Sequence, residues 1–86
     1  MASYNVMTLL VNNRRKNAPK LQEVLTASGC IIKARLGLHE AVNTCSDEGL
    51  IILQLVGSSE EIATLECELN SLDGVKAKNT VICSDW

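Results

Sequence analysis

Residues 49–75 read GLIILQLVGSSEEIATLECELNSLDGV. The stretch passes from a continuous apolar run, through a Gly-Ser-Ser-Glu-Glu break, to apolar residues spaced three and four apart. That change of period is the change from a buried strand to an amphipathic helix. Gly49 to Val56 is the most apolar run of the chain and reads as a strand, which Gly57 ends. Ser58 and Glu61 have capping-box spacing: the hydroxyl accepts from the third helical N–H while the carboxylate reaches back to the cap. Ile62, Leu65, Leu69 and Leu72 form the buried stripe of the helix. Asp73-Gly74 stops it, and Val75 to Ile82 reads as a final strand.

The N-terminal half carries the same alternation. Tyr4 to Val11 reads as a strand and Asn12-Asn13-Arg14-Arg15-Lys16 as a polar connection. Asn17 suits an N-cap with Pro19 in the first helical turn, and Leu21, Val24, Leu25 and Ser28 share one stripe. Gly29 is placed as the helix stop, and Ile31 to Leu38 reads as the second strand. Gly37 inside that strand suggests a bulge or a close backbone approach. His39 to Glu48 is then a polar loop. The order β-α-β-β-α-β within 86 residues predicts an α+β, ferredoxin-like sandwich. Its antiparallel sheet has the order 4-1-3-2, with two helices on one face. The expectation is one domain over 1–86, with a core over about 4–83 and an unstructured tail over 84–86.

Composition narrows the function classes. A net charge of −2 argues against a general nucleic-acid binder, because phosphate affinity comes from clustered Lys and Arg. Tyr4 and Trp86 are the only aromatics, which removes the stacking platform of single-strand binders. No run approaches the roughly 20 apolar residues of a membrane span, and no signal peptide is evident. A cytoplasmic protein is expected. Cys30, Cys45, Cys67 and Cys83 are widely spaced and include no CxxC pair, so free thiols are expected rather than staples. Cys30 and Cys83, at strand ends, read as small buried hydrophobes. Cys67 falls on the helix face opposite the buried stripe and reads as exposed and incidental.

Strand faces point to association. In the third strand Leu50, Ile52 and Val56 face one way while Ile51, Leu53 and Leu55 face the other. The first strand opposes Val6 and Leu10 to Met7, Leu9 and Val11. A sheet with one wet face alternates apolar with polar. These two strands do not, so the second face is expected to be covered by another subunit or a ligand, with a homo-oligomer (dimer or tetramer) favoured.

A family resemblance sharpens this. Met7-Thr8-Leu9-Leu10-Val11, the helix end Ala27-Ser28-Gly29 and the strand Ile31-Ile32-Lys33-Ala34-Arg35-Leu36-Gly37-Leu38 resemble the iron-only hydrogenase system regulators. That family carries an R-x-G-[IL] strand and is ACT-like, related in fold to the C-terminal domain of nickel-responsive regulators. The likeness continues through Gly49 to Leu55 and closes at Leu72-Asp73-Gly74-Val75-Lys76-Ala77-Lys78, similar to the family's L-x-G-V-x-V-K ending. It implies an oligomeric, ligand-sensing regulatory domain, not an enzyme, acting without its own DNA-binding head. The nickel ligand set of the related regulators needs several histidines. His39 is the only one here, so that site is not implied.

Two candidate sites emerge. Asn12, Asn13, Arg14 and Arg15 lie where ACT-like domains hold small ligands, and the cations suit an anion beside a helix N-terminus. The alternative is a charged connection kept for solubility. Arg35 and Gly37 join this set through the resemblance. His39, Cys45 and Asp47 could complete a transition-metal site, especially across two subunits, and a stand-alone metal-binding protein is the alternative function. Against it stands the reading of residues 39–48 as a solvated hairpin loop. The glycine framework of an acylphosphatase loop and a CxxC metal-chaperone motif are both missing, so no reaction and no cofactor is named by these residues.

Overall fold

A computed structural model describes residues 2–38 and 48–86, without the side chains of Arg14, Arg15 and Leu38. The elements are β1 (Ser3–Val11), α1 (Arg14–Ala27), a 3₁₀ turn (Gly29–Ile31), β2 (Ile32–Leu38), β3 (Gly49–Leu55), α2 (Ser59–Asn70) and β4 (Val75–Cys83). The four strands form one sheet of order β2-β3-β1-β4, each neighbouring pair antiparallel. This is the ferredoxin-like α+β arrangement expected from the pattern.

The core lies between the sheet and the two helices. Met7, Leu9 and Val11 of β1, Leu53 and Leu55 of β3 and Val75 of β4 face Leu21 and Leu25 of α1 and Ile62, Leu65 and Leu69 of α2. All are buried, and full burial of each Leu or Ile side chain is worth about 1.5–3 kcal/mol. The sheet residues are all odd-numbered because strand side chains alternate with a period of two, and register holds that parity across β1, β3 and β4: Met7 opposes Leu53 on one side and Asn79 on the other. The capping box forms as the spacing predicts. Glu61 N–H donates to Ser58 Oγ at 3.1 Å and Ser58 N–H donates to Glu61 Oε1 at 3.0 Å.

The start of α1 differs from expectation. The connection is only Asn12-Asn13; Arg14, Arg15 and Lys16 form the first helical turn, and Asn13, not Asn17, is the N-cap. The cause is tertiary. Asn12 N–H donates to the Gly74 carbonyl at 2.7 Å, pinning the chain as it leaves the sheet, and Asn13 turns it in the left-handed conformation at φ 50°. Asn is one of the few residues that tolerates that region. Pro19 therefore lies a turn deeper than expected, inside the helix. At the far end Ser28 is the C-cap, and Gly29 opens the 3₁₀ turn that delays β2 to Ile32.

The irregularity in β2 falls between Ile32 and Ala34, not at Gly37, where a side chain would meet open space. Cys30 and Cys83 are also corrected: both are exposed, one in the 3₁₀ turn and the other at the end of an edge strand. Cys67 is exposed as expected, and these three thiols are free. The tail is tied at Ser84, whose N–H donates to the Ala2 carbonyl at 2.7 Å.

Candidate functional site

The β1–α1 junction is built from three asparagines and a glycine. Asn13 N–H donates to Asn12 Oδ1 at 2.9 Å, and Asn17 Nδ2 donates to the Asn12 carbonyl at 2.6 Å. With the Asn12–Gly74 backbone bond, these contacts lock the exit of β1 to the turn before β4. Gly74 has φ 74°, and a Cβ there would overlap the Asn17 amide. Asn12 and Asn13 thus meet Asn17, whose side chain secures the junction instead of capping the helix. Arg14, Arg15 and Lys16 follow in the first turn of α1, where acidic residues are absent. A helix N-terminus favours negative charge, and this first turn supplies none of its own.

Arg35 and Gly37 do not join this cluster. Both lie on β2, with β3 between them and β1. Arg35 pairs with Leu53 on the helix-covered side and donates from Nη1 to Gln22 Oε1 of α1 at 3.0 Å. The proposed metal residues His39, Cys45 and Asp47 lie outside the described residues. Among the described residues no three His, Cys, Asp or Glu side chains group to hold a metal ion.

The opposite sheet face carries exposed apolar side chains with no partner among the described residues. Register places Tyr4, Val6, Thr8 and Leu10 of β1 beside Leu50 and Ile52 of β3, with Leu36 of β2 beyond and Lys76, Lys78, Thr80 and Ile82 of β4 on the other flank. Tyr4, Leu10, Leu36 and Ile82 are exposed large hydrophobics. The two-sided apolar character of β1 and β3 is therefore real: one side is core and the other carries solvent-facing aliphatic side chains. Against β4 the face dips into a shallow groove of about 290 Å³ lined by Thr8, Leu10, Lys76, Lys78 and Thr80.

Sequence reasoning missed the polar seam between α2 and β4. Asn70 Oδ1 accepts from Ala77 N–H at 2.8 Å and Asn70 Nδ2 donates to the Ala77 carbonyl at 2.9 Å. Glu66 Oε2 accepts from Asn79 N–H at 2.8 Å, and Asn79 Nδ2 donates to Asn5 Oδ1 at 3.1 Å. Asn79 Oδ1 is buried without a partner among the described residues. The available signal was Glu66 and Asn70 one turn apart on α2, on the side facing an edge strand.

No family model matches the chain, and no curated protein matches it either. Among solved structures it is similar to the uncharacterized protein TM1266 from Thermotoga maritima, at 22% identity and a TM-score of 0.82 over 95% of this chain and 100% of that one. It is also similar to part of a formyltetrahydrofolate deformylase from Pseudomonas putida, at 10% identity and a TM-score of 0.57, covering 90% of this chain and 28% of that one. At these identities what is shared is the fold.

Proposed function

We propose that the protein is a small homo-oligomeric regulatory domain that senses a ligand and catalyses no reaction itself. The observation that carries this is the open sheet face, where Leu10, Leu36 and Ile82 meet solvent beside Leu50 and Ile52. Apolar area gathered on one face of so small a domain is an association surface. The resemblance to iron-only hydrogenase system regulators adds the class of system served, and a cytoplasmic setting accords with free Cys30, Cys67 and Cys83. Among the described residues no helix is long and apolar enough to cross a membrane.

The ligand end of the proposal rests on the β1–α1 junction. Asn12 and Asn13 hold the chain while Arg14, Arg15 and Lys16 concentrate positive charge on the first turn of α1, which favours an anionic small molecule. Sensing is then linkage: a ligand that binds one arrangement of the subunits better shifts the population toward it, and a partner protein reads the change. Native mass spectrometry of protein purified without chelator tests both parts. An oligomer that retains a small molecule supports the proposal and gives the ligand's mass. A ligand-free monomer across the accessible concentration range rejects it.

A further inference from the structure

The two halves of the β4 edge are built differently. Ser84 N–H points to β1 and bonds Ala2, whereas Ala77 and Asn79 N–H point away from β1, to Asn70 and Glu66 of α2. N–H direction alternates along a strand, so Val81 and Cys83 also turn their N–H and C=O groups outward. No group among the described residues takes them. The sequence changes at the same place. Lys76 and Lys78 charge the shielded half, while Thr80-Val81-Ile82-Cys83-Ser84 has no charge and no proline. Val81 and Ile82 are 54% and 62% exposed. Sheet edges are normally blunted by charge, proline or covering groups because an open edge templates another strand. That protection is present at 76–79 and absent at 81–83.

We infer that residues 81–83 pair antiparallel with the same residues of a second copy of this chain. The inference rests on the homo-oligomer proposed above and names one of its interfaces. A two-fold axis between the two Ile82 residues sets Val81 opposite the partner's Cys83 and Cys83 opposite the partner's Val81. Each of these two pairs exchanges both backbone hydrogen bonds, and the two Ile82 side chains meet in the close, non-bonded pairing on the open face. The result is a continuous eight-stranded sheet, four strands from each copy, with the two apolar faces side by side.

A second copy fits better than a foreign strand for two reasons. The open window is too short for a long strand, because Glu66 and Asn70 occupy the edge at Asn79 and Ala77; the two-fold arrangement needs only this window from each copy. The same register also carries the partner's Trp86 toward Lys78. Glu66 blocks the helix-side path there, leaving the open-face groove of about 290 Å³ beside Leu10 and Lys78 to receive the indole. Trp86 is fully exposed in the single chain, and Lys78 adds a cation–π contact to its burial.

Native mass spectrometry of the full chain, with amide hydrogen exchange followed by NMR, tests the pairing. Val81→Pro and Cys83→Pro each remove one outward N–H and no bond to β1. The expected result is that each proline halves the wild-type mass, and that the Val81 and Cys83 amides are protected in the unmutated protein. Leu36→Lys, on the far edge of the open face, is expected to leave the β4-paired dimer intact. Wild-type mass retained by both proline variants overturns the pairing, as does fast exchange at Val81 and Cys83 in the unmutated oligomer. In that case the homo-oligomer stands if Leu36→Lys dissociates it. A wild-type protein that is monomeric overturns both proposals. The exchange measurement needs no variant, so it decides the matter even if the prolines prevent folding.

Discussion

The Asn70 side chain pairs with the backbone of Ala77 as a neighbouring strand would, accepting from its N–H at 2.8 Å and donating to its carbonyl at 2.9 Å. One amide at the last residue of α2 thereby closes part of a sheet edge and ties the second helix to the strand that follows it. Both groups it satisfies face a region that water can reach, so the net gain is that of ordinary hydrogen bonds. Asn70→Ala is expected to cost about 1–2 kcal/mol in urea unfolding. It is also expected to extend the open edge of β4, read as increased self-association in sedimentation velocity.

The capping box of α2 gives the protein an acid limb. Glu61 is held below its ordinary pKa of 4.5, chiefly by the Ser58 backbone N–H and then by the Ser58 side chain. A carboxyl with a lower pKa in the folded state than in the unfolded one stabilises the fold above the ordinary value. That contribution is lost as pH falls through the depressed folded value. The Tm advantage of the wild type over Glu61→Gln is therefore expected to be constant near neutrality and to shrink below about pH 4.5. Ser58→Ala is expected to cost about 1 kcal/mol at neutral pH, measured by urea unfolding.

Leu53 and Leu36 lie on opposite faces of adjacent strands and should respond very differently to truncation. Leu53 is fully buried on β3, against β1, β2 and the helices, whereas Leu36 on β2 is 55% exposed. Leu53→Ala is expected to cost about 2–5 kcal/mol, enough to unfold much of so small a domain at 37 °C. Leu36→Ala is expected to stay within about 0.5 kcal/mol for the folded subunit, and to affect association only through contacts across the open face, not through the β4 edge. Urea melts at low protein concentration separate the two effects.

Two glycines make an internal control. Gly74 has a positive φ, and an added Cβ meets Asn17 and the Asn12 carbonyl, the joint that starts α1. Gly37 lies in extended backbone with open space around it. Gly74→Ala is expected to destabilise by more than about 1 kcal/mol. Gly37→Ala is expected to stabilise by roughly 0.4–1 kcal/mol through the unfolded chain, both read from denaturant midpoints.

How far the sequence could be read depended on the range of the interaction. Strand and helix identities followed from periods of two and 3.6, and the capping box from two residues three apart, because these are local rules. The N-terminus of α1 was misplaced because Asn17 and Pro19 satisfy local start rules, while the actual start is imposed by a bond from Asn12 to Gly74, distant in sequence. Arg35 and Gly37 were grouped with the junction through the resemblance, and the sheet order separates them from it by a strand. The expected metal residues His39, Cys45 and Asp47 lie outside the described residues.

The sequence by itself determined the element order, the buried positions Ile62, Leu65 and Leu69 of α2 and the presence of a second apolar face on β1 and β3, while Leu72, expected in the same stripe, lies beyond the helix end and is only partly buried. Those properties depend on spacing along the chain, and spacing survives without coordinates. Only the tertiary structure decided where α1 begins, that Arg35 serves α1 through Gln22, and that Asn70 and Glu66 shield Ala77 and Asn79 but leave Val81 and Cys83 open. These depend on which backbone groups remain unpaired after the sheet forms, and that is settled by register between distant segments rather than by any local preference.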